Sequence, residues 1–61
     1  MKPVCKLIGQ NGNIFNLIGI ASNVLKEHNM KTESREMTKR VFECTSYEMA
    51  LCVIKDYVEV R

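Results

Sequence analysis

The stretch from Tyr47 to Ile54 constrains the fold most, because only Glu48 interrupts its apolar side chains. Thr45 and Glu48 have the spacing of a capping box, which predicts a helix from Tyr47 to Ile54 with Thr45 as its N-cap. A helix that is apolar on nearly all sides is buried on nearly all sides. A chain of about 60 residues buries only about 60% of its unfolded surface, which leaves little protein to cover this helix. We therefore expect self-association or a foreign protein surface to cover it.

Two more helices are predicted upstream. From Ile14 the apolar residues recur at spacings of three and four, which indicates a helix over Ile14–His28. Asn13 is a suitable N-cap, and Asn29 can end the helix in a left-handed conformation. A narrower apolar stripe predicts a second helix over Glu33–Glu43, with Thr32 as its N-cap.

The two ends of the chain have the pattern of strands. Val4–Ile8 is short and apolar, and it follows Pro3, which is tolerated at the start of a strand. Tyr57–Arg61 alternates with a period of two residues. The sequence therefore predicts an α+β fold: a single domain, residues 1–61, in which three helices pack on a short two-stranded β element formed by the N- and C-terminal segments.

The composition excludes several classes of function. The three cysteines are an odd number, and together with His28 they lack the short spacing of zinc ligands. No residue pair suggests a nucleophile with its base, so we expect neither an enzyme nor a bound cofactor or metal. No apolar run approaches the ~20 residues of a membrane span, and no signal sequence is evident. We expect a cytoplasmic protein that does not contact membranes.

The loop Gly9–Asn13 is the candidate binding site. It leaves a strand and enters a helix, where unpaired N–H groups at the positive end of the helix dipole accept phosphate or carboxylate groups. The alternative is that the loop is only a tight connection with an N-cap. The residues expected to hold a phosphate-bearing ligand are Lys6, Gly9, Asn11, Gly12, Asn13 and Asn16, with Tyr47 or Tyr57 stacking on it.

Lys31, Arg35 and Lys39 recur every four residues and form a basic stripe on the second helix. We interpret this stripe as a solvated face interleaved with Glu33, Glu36 and Glu43. A DNA-recognition helix is polar and basic on one face, whereas the last helix is apolar. The net charge of only +2 also gives no reason to expect nucleic acid as a partner.

Parts of the sequence resemble a family of small uncharacterised proteins carried by phages and mobile elements, mainly of Gram-positive bacteria. The matching residues are Lys6–Gly9, Asn11–Asn13, Phe15, Gly19, Tyr47 and Glu48 followed by Leu51, and Tyr57–Val60. Family members often carry aspartate where this chain has Asn11, so a carboxylate is absent here. The resemblance implies an origin in a mobile genetic element, where proteins of this size often counter bacterial immunity.

These observations lead to two expected functions. The first is an oligomeric sponge that sequesters a phosphate-bearing, nucleotide-type signal of bacterial immunity. The alternative is an inhibitor that binds a host defence complex through protein contacts. A small DNA-binding regulator is the third and weakest alternative.

Overall fold

The computed structural model describes all 61 residues and has the predicted α+β fold. In chain order the elements are β1 (Val4–Cys5), α1 (Ile14–Glu27), α2 (Lys31–Phe42), α3 (Tyr47–Tyr57) and β2 (Glu59–Val60). The two strands come from the two ends of the chain and pair in parallel, with Val4 opposite Glu59 and Cys5 opposite Val60. The prediction of a terminal β element is confirmed.

Both strands are shorter than their sequence patterns. The N–H groups of Leu7 and Ile8 both donate to the carbonyl of Arg61, at 2.7 and 2.9 Å. The regular pairing of the two strands therefore ends at Arg61. The predicted alternation survives beyond the ladder, because Cys5 and Leu7 are buried while Lys6 and Ile8 are exposed. The sheet is therefore a short clasp between the chain ends, packed on the helices.

Helix α1 begins where the sequence predicts. The side-chain oxygen of Asn13 accepts the N–H of Phe15 at 2.9 Å, as an N-cap does. The helix ends at Glu27, one residue before the predicted end, and His28 is its C-cap. Asn29 then adopts a φ of 60°, a left-handed conformation that asparagine tolerates better than most residues.

The predicted caps of the other two helices are wrong by one or two positions. Helix α2 begins at Lys31, before Thr32, because the tight turn after α1 already brings the Ser34 N–H to the Met30 carbonyl at 2.9 Å. Helix α3 is capped by Ser46 instead of Thr45: the Ser46 hydroxyl accepts the N–H of Met49 at 3.2 Å. Helix α3 also continues beyond Ile54 to Tyr57, which shortens the last strand.

The core lies where the three helices meet the clasp. The start of α1, the end of α2 and the start of α3 share one end of the molecule, where Phe15 packs against Phe42 and the Tyr47 hydroxyl donates to the Gly12 carbonyl. Twelve apolar side chains form the core: Cys5, Leu7, Leu17, Ile18, Ala21, Leu25, Met37, Val41, Ala50, Ile54, Tyr57 and Val58.

The chain covers helix α3 only in part. Ala50 and Ile54 are buried, whereas Tyr47, Met49 and Cys52 are exposed. The expectation that so short a chain leaves part of this helix uncovered agrees with this arrangement. Its coverage by a second copy or by another protein stays a prediction.

Candidate functional site

The Gly9–Asn13 loop uses many of its polar groups to hold its own shape. The Asn11 side-chain oxygen accepts the N–H of Asn13 at 2.9 Å, and the Asn16 side-chain amide donates to the Asn11 carbonyl at 2.8 Å. The Asn13 side chain is the helix cap. The three asparagines are therefore brought together as predicted, but as a network that positions the start of α1.

Some donors of the loop remain free. Five N–H groups of the loop and of the first turn of α1 have no hydrogen-bond partner in the chain: those of Gly9, Asn11, Gly12, Ile14 and Asn16. The left-handed residue is Gly9, with a φ of 90°, and not Asn11 or Gly12 as their turn propensity suggests. Lys6 is exposed just before the loop. Ligand binding by this loop stays a prediction.

Tyr47 lies beside the loop, because its hydroxyl donates to the Gly12 carbonyl at 2.5 Å. Tyr57 does not join it. The two residues are at opposite ends of α3, about 15 Å apart at 1.5 Å per residue. Within one chain Tyr57 therefore lies away from the loop, and its stacking on a ligand there stays a prediction.

Tyr57 instead fastens α2 to α3. Its partly buried hydroxyl donates to the Glu36 carboxylate and accepts from the Arg40 guanidinium at 3.1 Å. Arg40 also pairs with Asp56 at 3.2 Å and lies 5.4 Å from the centre of the Tyr57 ring. Burial, aided by the hydrogen bond to Glu36, raises the pKa of the Tyr57 hydroxyl. This cluster is a structural contact between two helices.

The largest concave surface of the protein lies along α2, between it and the end of α1. We call it the α1–α2 groove. Its volume is about 640 Å³, within the ~300–1,000 Å³ range of small-molecule sites. Its lining residues are Lys26, Lys31, Ser34, Arg35, Thr38, Lys39 and Phe42.

Small residues on α1 explain why the two helices leave a groove. Phe15, Gly19, Ser22 and Lys26 are spaced by four, three and four residues, so they share one face of α1. Ser22 contacts Ser34 of α2 through a hydroxyl–hydroxyl hydrogen bond. At Gly19 an added Cβ would meet no atom within 4 Å. The middle of this face therefore has no large side chain to fill the space next to α2.

The groove concentrates positive charge. Four of the nine lysines and arginines line it, and none of the seven acidic residues does. The chain's two ion pairs, Arg40 with Asp56 and Arg61 with Glu59, involve none of these four cations. The cations are therefore free to bind an anion.

The basic stripe is exposed to solvent, as the interpretation of a solvated face expects. At about 3.6 residues per turn, Lys31, Arg35 and Lys39 lie on one side of α2. Glu33 and Glu36 fall on other sides of the helix, and Glu36 is bonded to Tyr57. Glu33 and Glu36 thus alternate with the cations in sequence but not in space, whereas Glu43 follows Lys39 by four residues and continues the stripe.

An aromatic pair closes one end of the groove. The rings of Phe15 and Phe42 have centroids 6.0 Å apart and are tilted by 40°. Phe15 is 66% exposed and Phe42 is 62% exposed, so much of their ring surface faces solvent. Tyr47 and Met49 are also exposed at this end of the molecule. The result is an apolar surface next to a cationic one.

Sequence reasoning found the basic stripe but not the groove. It gave no binding role to Lys26, Thr38 or Phe42, all of which line it. A signal was present, because Gly19 and Ser22 lie between a phenylalanine and a lysine on one helical face. That signal has a meaning only once α2 is known to pack there with Ser34 opposite Ser22.

No protein-family model, curated protein or solved structure matches this chain. No helix has both the length and the apolar character needed to cross a bilayer. No three side chains among His, Cys, Asp and Glu come close enough together to hold a metal ion.

Proposed function

We propose that this chain is a non-catalytic binding protein that holds a phosphate-bearing ligand in the α1–α2 groove. The observation that carries the proposal is the separation of charge. A chain with a net charge of only +2 places four cations and no acidic side chain around one cavity. Cations gathered in a cleft attract anions and raise their local concentration.

The chemistry of the lining supports phosphate as the anionic group. Arg35 offers a planar set of donors that matches phosphate oxygens, and the lysines offer compact charges. Helix α2 has no side-chain N-cap, so the N–H groups of Thr32 and Glu33 are unpaired near the Lys31 end of the groove. The cations and hydroxyls of the groove can hold an anion, and we propose that the protein sequesters its ligand.

The resemblance to mobile-element proteins gives this activity its context. We propose that the ligand is a nucleotide-type signal of bacterial immunity, which the protein withdraws from its receptor. We place the binding site in the α1–α2 groove and not in the Gly9–Asn13 loop that the sequence suggested. The asparagine side chains of the loop bond within the loop, whereas the cations of the groove form no ion pair.

Calorimetric titration with tripolyphosphate tests the proposal, because this probe carries phosphate and no other recognisable group. We expect binding that weakens as salt is raised. The double variant Lys31→Gln with Arg35→Gln should lose about ten-fold or more in affinity, since each charge-assisted hydrogen bond contributes about 1.5–3 kcal/mol.

The matched control is Lys6→Gln with Lys55→Gln, which removes the same charge outside the groove. It should bind within about two-fold of the unaltered chain, because distant exposed charges are largely screened at moderate salt. If this control loses affinity and the groove variant keeps it, the groove assignment is wrong and Lys6 points back to the loop. If the unaltered chain binds no tripolyphosphate at low salt, the proposed function fails.

A protein partner is the second candidate. The exposed side chains at one end of the molecule, Phe15, Phe42, Tyr47 and Met49, are of the types that protein interfaces favour. We propose that this end contacts a second copy or a host defence protein. Light scattering tests self-association: a mass that stays at the 7.0 kDa of one chain up to high concentration contradicts it.

A further inference from the structure

We infer that the ligand of the α1–α2 groove is a free nucleoside polyphosphate whose base lies against Phe42 and whose phosphates follow the cations of α2. The inference rests on the proposed function. It specifies the class of nucleotide, places its base against Phe42 and gives the ligand a direction in the groove.

The first support is the aromatic ring inside a cationic cavity. Phe42 is the only apolar residue that lines the groove, and 62% of its surface is exposed. Phe15 packs against it at 6.0 Å and holds the ring in place from the α1 side. A simple anion gains nothing from a phenylalanine ring, whereas a nucleobase stacks on aromatic side chains.

The second support is the order of residues along α2. Lys39, Arg35 and Lys31 follow Phe42 at intervals of three, four and four residues on one face. At 1.5 Å per residue the ring is about 4.5 Å from the first cation and about 16 Å from the last along the helix axis. This order places a base at one end and a row of phosphates beside it.

The third support concerns the two ends of the groove. The ring pair stands at one end, and at the other Lys26 and Lys31 flank the turn of residues 28–30 that joins the helices. The ring and the cationic end are only about 16 Å apart. We therefore assign the site to one free nucleotide and not to a segment of a longer strand.

The test compares three probes by calorimetry: ATP, tripolyphosphate and a ten-residue thymidine oligonucleotide. ATP and tripolyphosphate share a chain of three phosphates and differ in the nucleoside. We expect ATP to bind about ten-fold more tightly than tripolyphosphate, and more tightly than the oligonucleotide.

Two substitutions at Phe42 locate the base. Phe42→Leu keeps an apolar side chain but removes the ring, so the preference for ATP should fall to about two-fold or less while tripolyphosphate affinity stays unchanged. Phe42→Trp introduces the only tryptophan of the chain, and ATP but not tripolyphosphate should quench its fluorescence. Met49→Leu is the control, since it alters an exposed apolar residue outside the groove and should keep the preference.

The possible results separate this inference from the proposed function. Equal affinity for ATP and tripolyphosphate overturns the base assignment and leaves phosphate binding intact. No binding of either probe removes the proposed function and the inference together. An oligonucleotide that binds about ten-fold more tightly than ATP overturns the assignment to a free nucleotide. If Phe42→Leu lowers the mass in solution and leaves the ATP preference unchanged, the rings form a subunit contact and the inference is wrong.

Discussion

The two sides of α2 use similar side chains in opposite ways. On the side that faces α3, Arg40 donates to Tyr57 and to Asp56, and Glu36 accepts from Tyr57. On the side that faces the α1–α2 groove, Arg35 and its lysine neighbours form no ion pair. Arg35 and Arg40 are five residues apart on one helix, yet only Arg40 bonds side chains of another helix.

This difference separates structural charge from charge available for binding. The α3 side is closed by a buried tyrosine with a complementary acid and base, so substitution there changes stability. The groove side has small residues, unpaired cations and an exposed ring, so substitution there changes affinity. Four substitutions, three of them with a matched counterpart, test whether stability and binding divide along α2 in this way.

Ile54→Ala should have the largest effect on stability. Ile54 of α3 is fully buried in the core, and truncation of such a side chain costs about 2–5 kcal/mol of unfolding free energy. The groove-side counterpart is Phe42→Ala, which removes more atoms from a residue that is 62% exposed and should cost less than about 1 kcal/mol. Urea unfolding measures both. Equal losses would erase the distinction between the two sides.

Tyr57→Phe should cost about 1–2 kcal/mol, because it removes a hydroxyl that bonds two charged groups. The loss should depend on pH. The pKa of Tyr57 is raised in the folded state, first by burial and then by Glu36, so the neutral hydroxyl is favoured on folding. Its contribution is complete below the unfolded pKa of about 10 and is lost as pH rises through the folded value.

The difference in unfolding free energy between the unaltered chain and Tyr57→Phe should therefore shrink as pH is raised above about 10. Tyr47→Phe is the control, because its hydroxyl bonds one backbone carbonyl at an exposed site and should matter less. A difference that grows in alkali would contradict the assigned direction of the shift.

Gly19→Ala should raise the unfolding free energy by about 0.5–1 kcal/mol, because alanine is the better helix residue and open space surrounds the added methyl group. The same methyl group would lie on the helix face that borders the groove. We expect a stability gain together with weaker tripolyphosphate binding. If Gly19→Ala weakens binding but does not raise the thermal unfolding temperature, the methyl group disturbs the packing of the helix, and the lost affinity does not result from lost space in the groove.

Arg35→Gln should change the unfolding free energy by less than about 0.5 kcal/mol, as exposed, unpaired surface residues do. Arg40→Gln is its matched partner on the same helix, and it should destabilise the chain more because its contacts to Tyr57 and Asp56 are lost. Thermal unfolding compares the two. If Arg35→Gln proves the more destabilising, Arg35 has a structural role and cannot serve as a free ligand-binding group.

Local patterns predicted much of the fold. The apolar spacing from Ile14 and the N-cap at Asn13 placed the start of α1 correctly, and the alternation at both termini predicted the two-stranded clasp. Both are short-range signals, since a helix repeats every ~3.6 residues and a strand every two. The predictions of Thr32 and Thr45 as N-caps were wrong because periodicity does not set the first residue of a helix. The turn that precedes each helix sets where it begins, and neighbouring hydroxyl residues compete for that role.

The candidate site was less accessible from sequence. From sequence alone, a row of lysines and arginines that is neutralised by acidic neighbours cannot be distinguished from one whose acidic sequence neighbours lie elsewhere in space. Only the packing of α2 between α1 and α3 turned Glu36 toward Tyr57 and left Lys31, Arg35 and Lys39 on the open side.

The amino-acid sequence by itself determined the three helices, the clasp between the chain ends and an α3 that the chain covers only in part. These depend on periodicity and on the amount of apolar surface, which are properties of the chain alone. The tertiary structure decided which charges are paired and where a cavity remains. Those properties depend on which faces of two helices pack together. Here Ser22 bonds Ser34, and open space surrounds Gly19, which shares a helix face with Phe15 and Lys26.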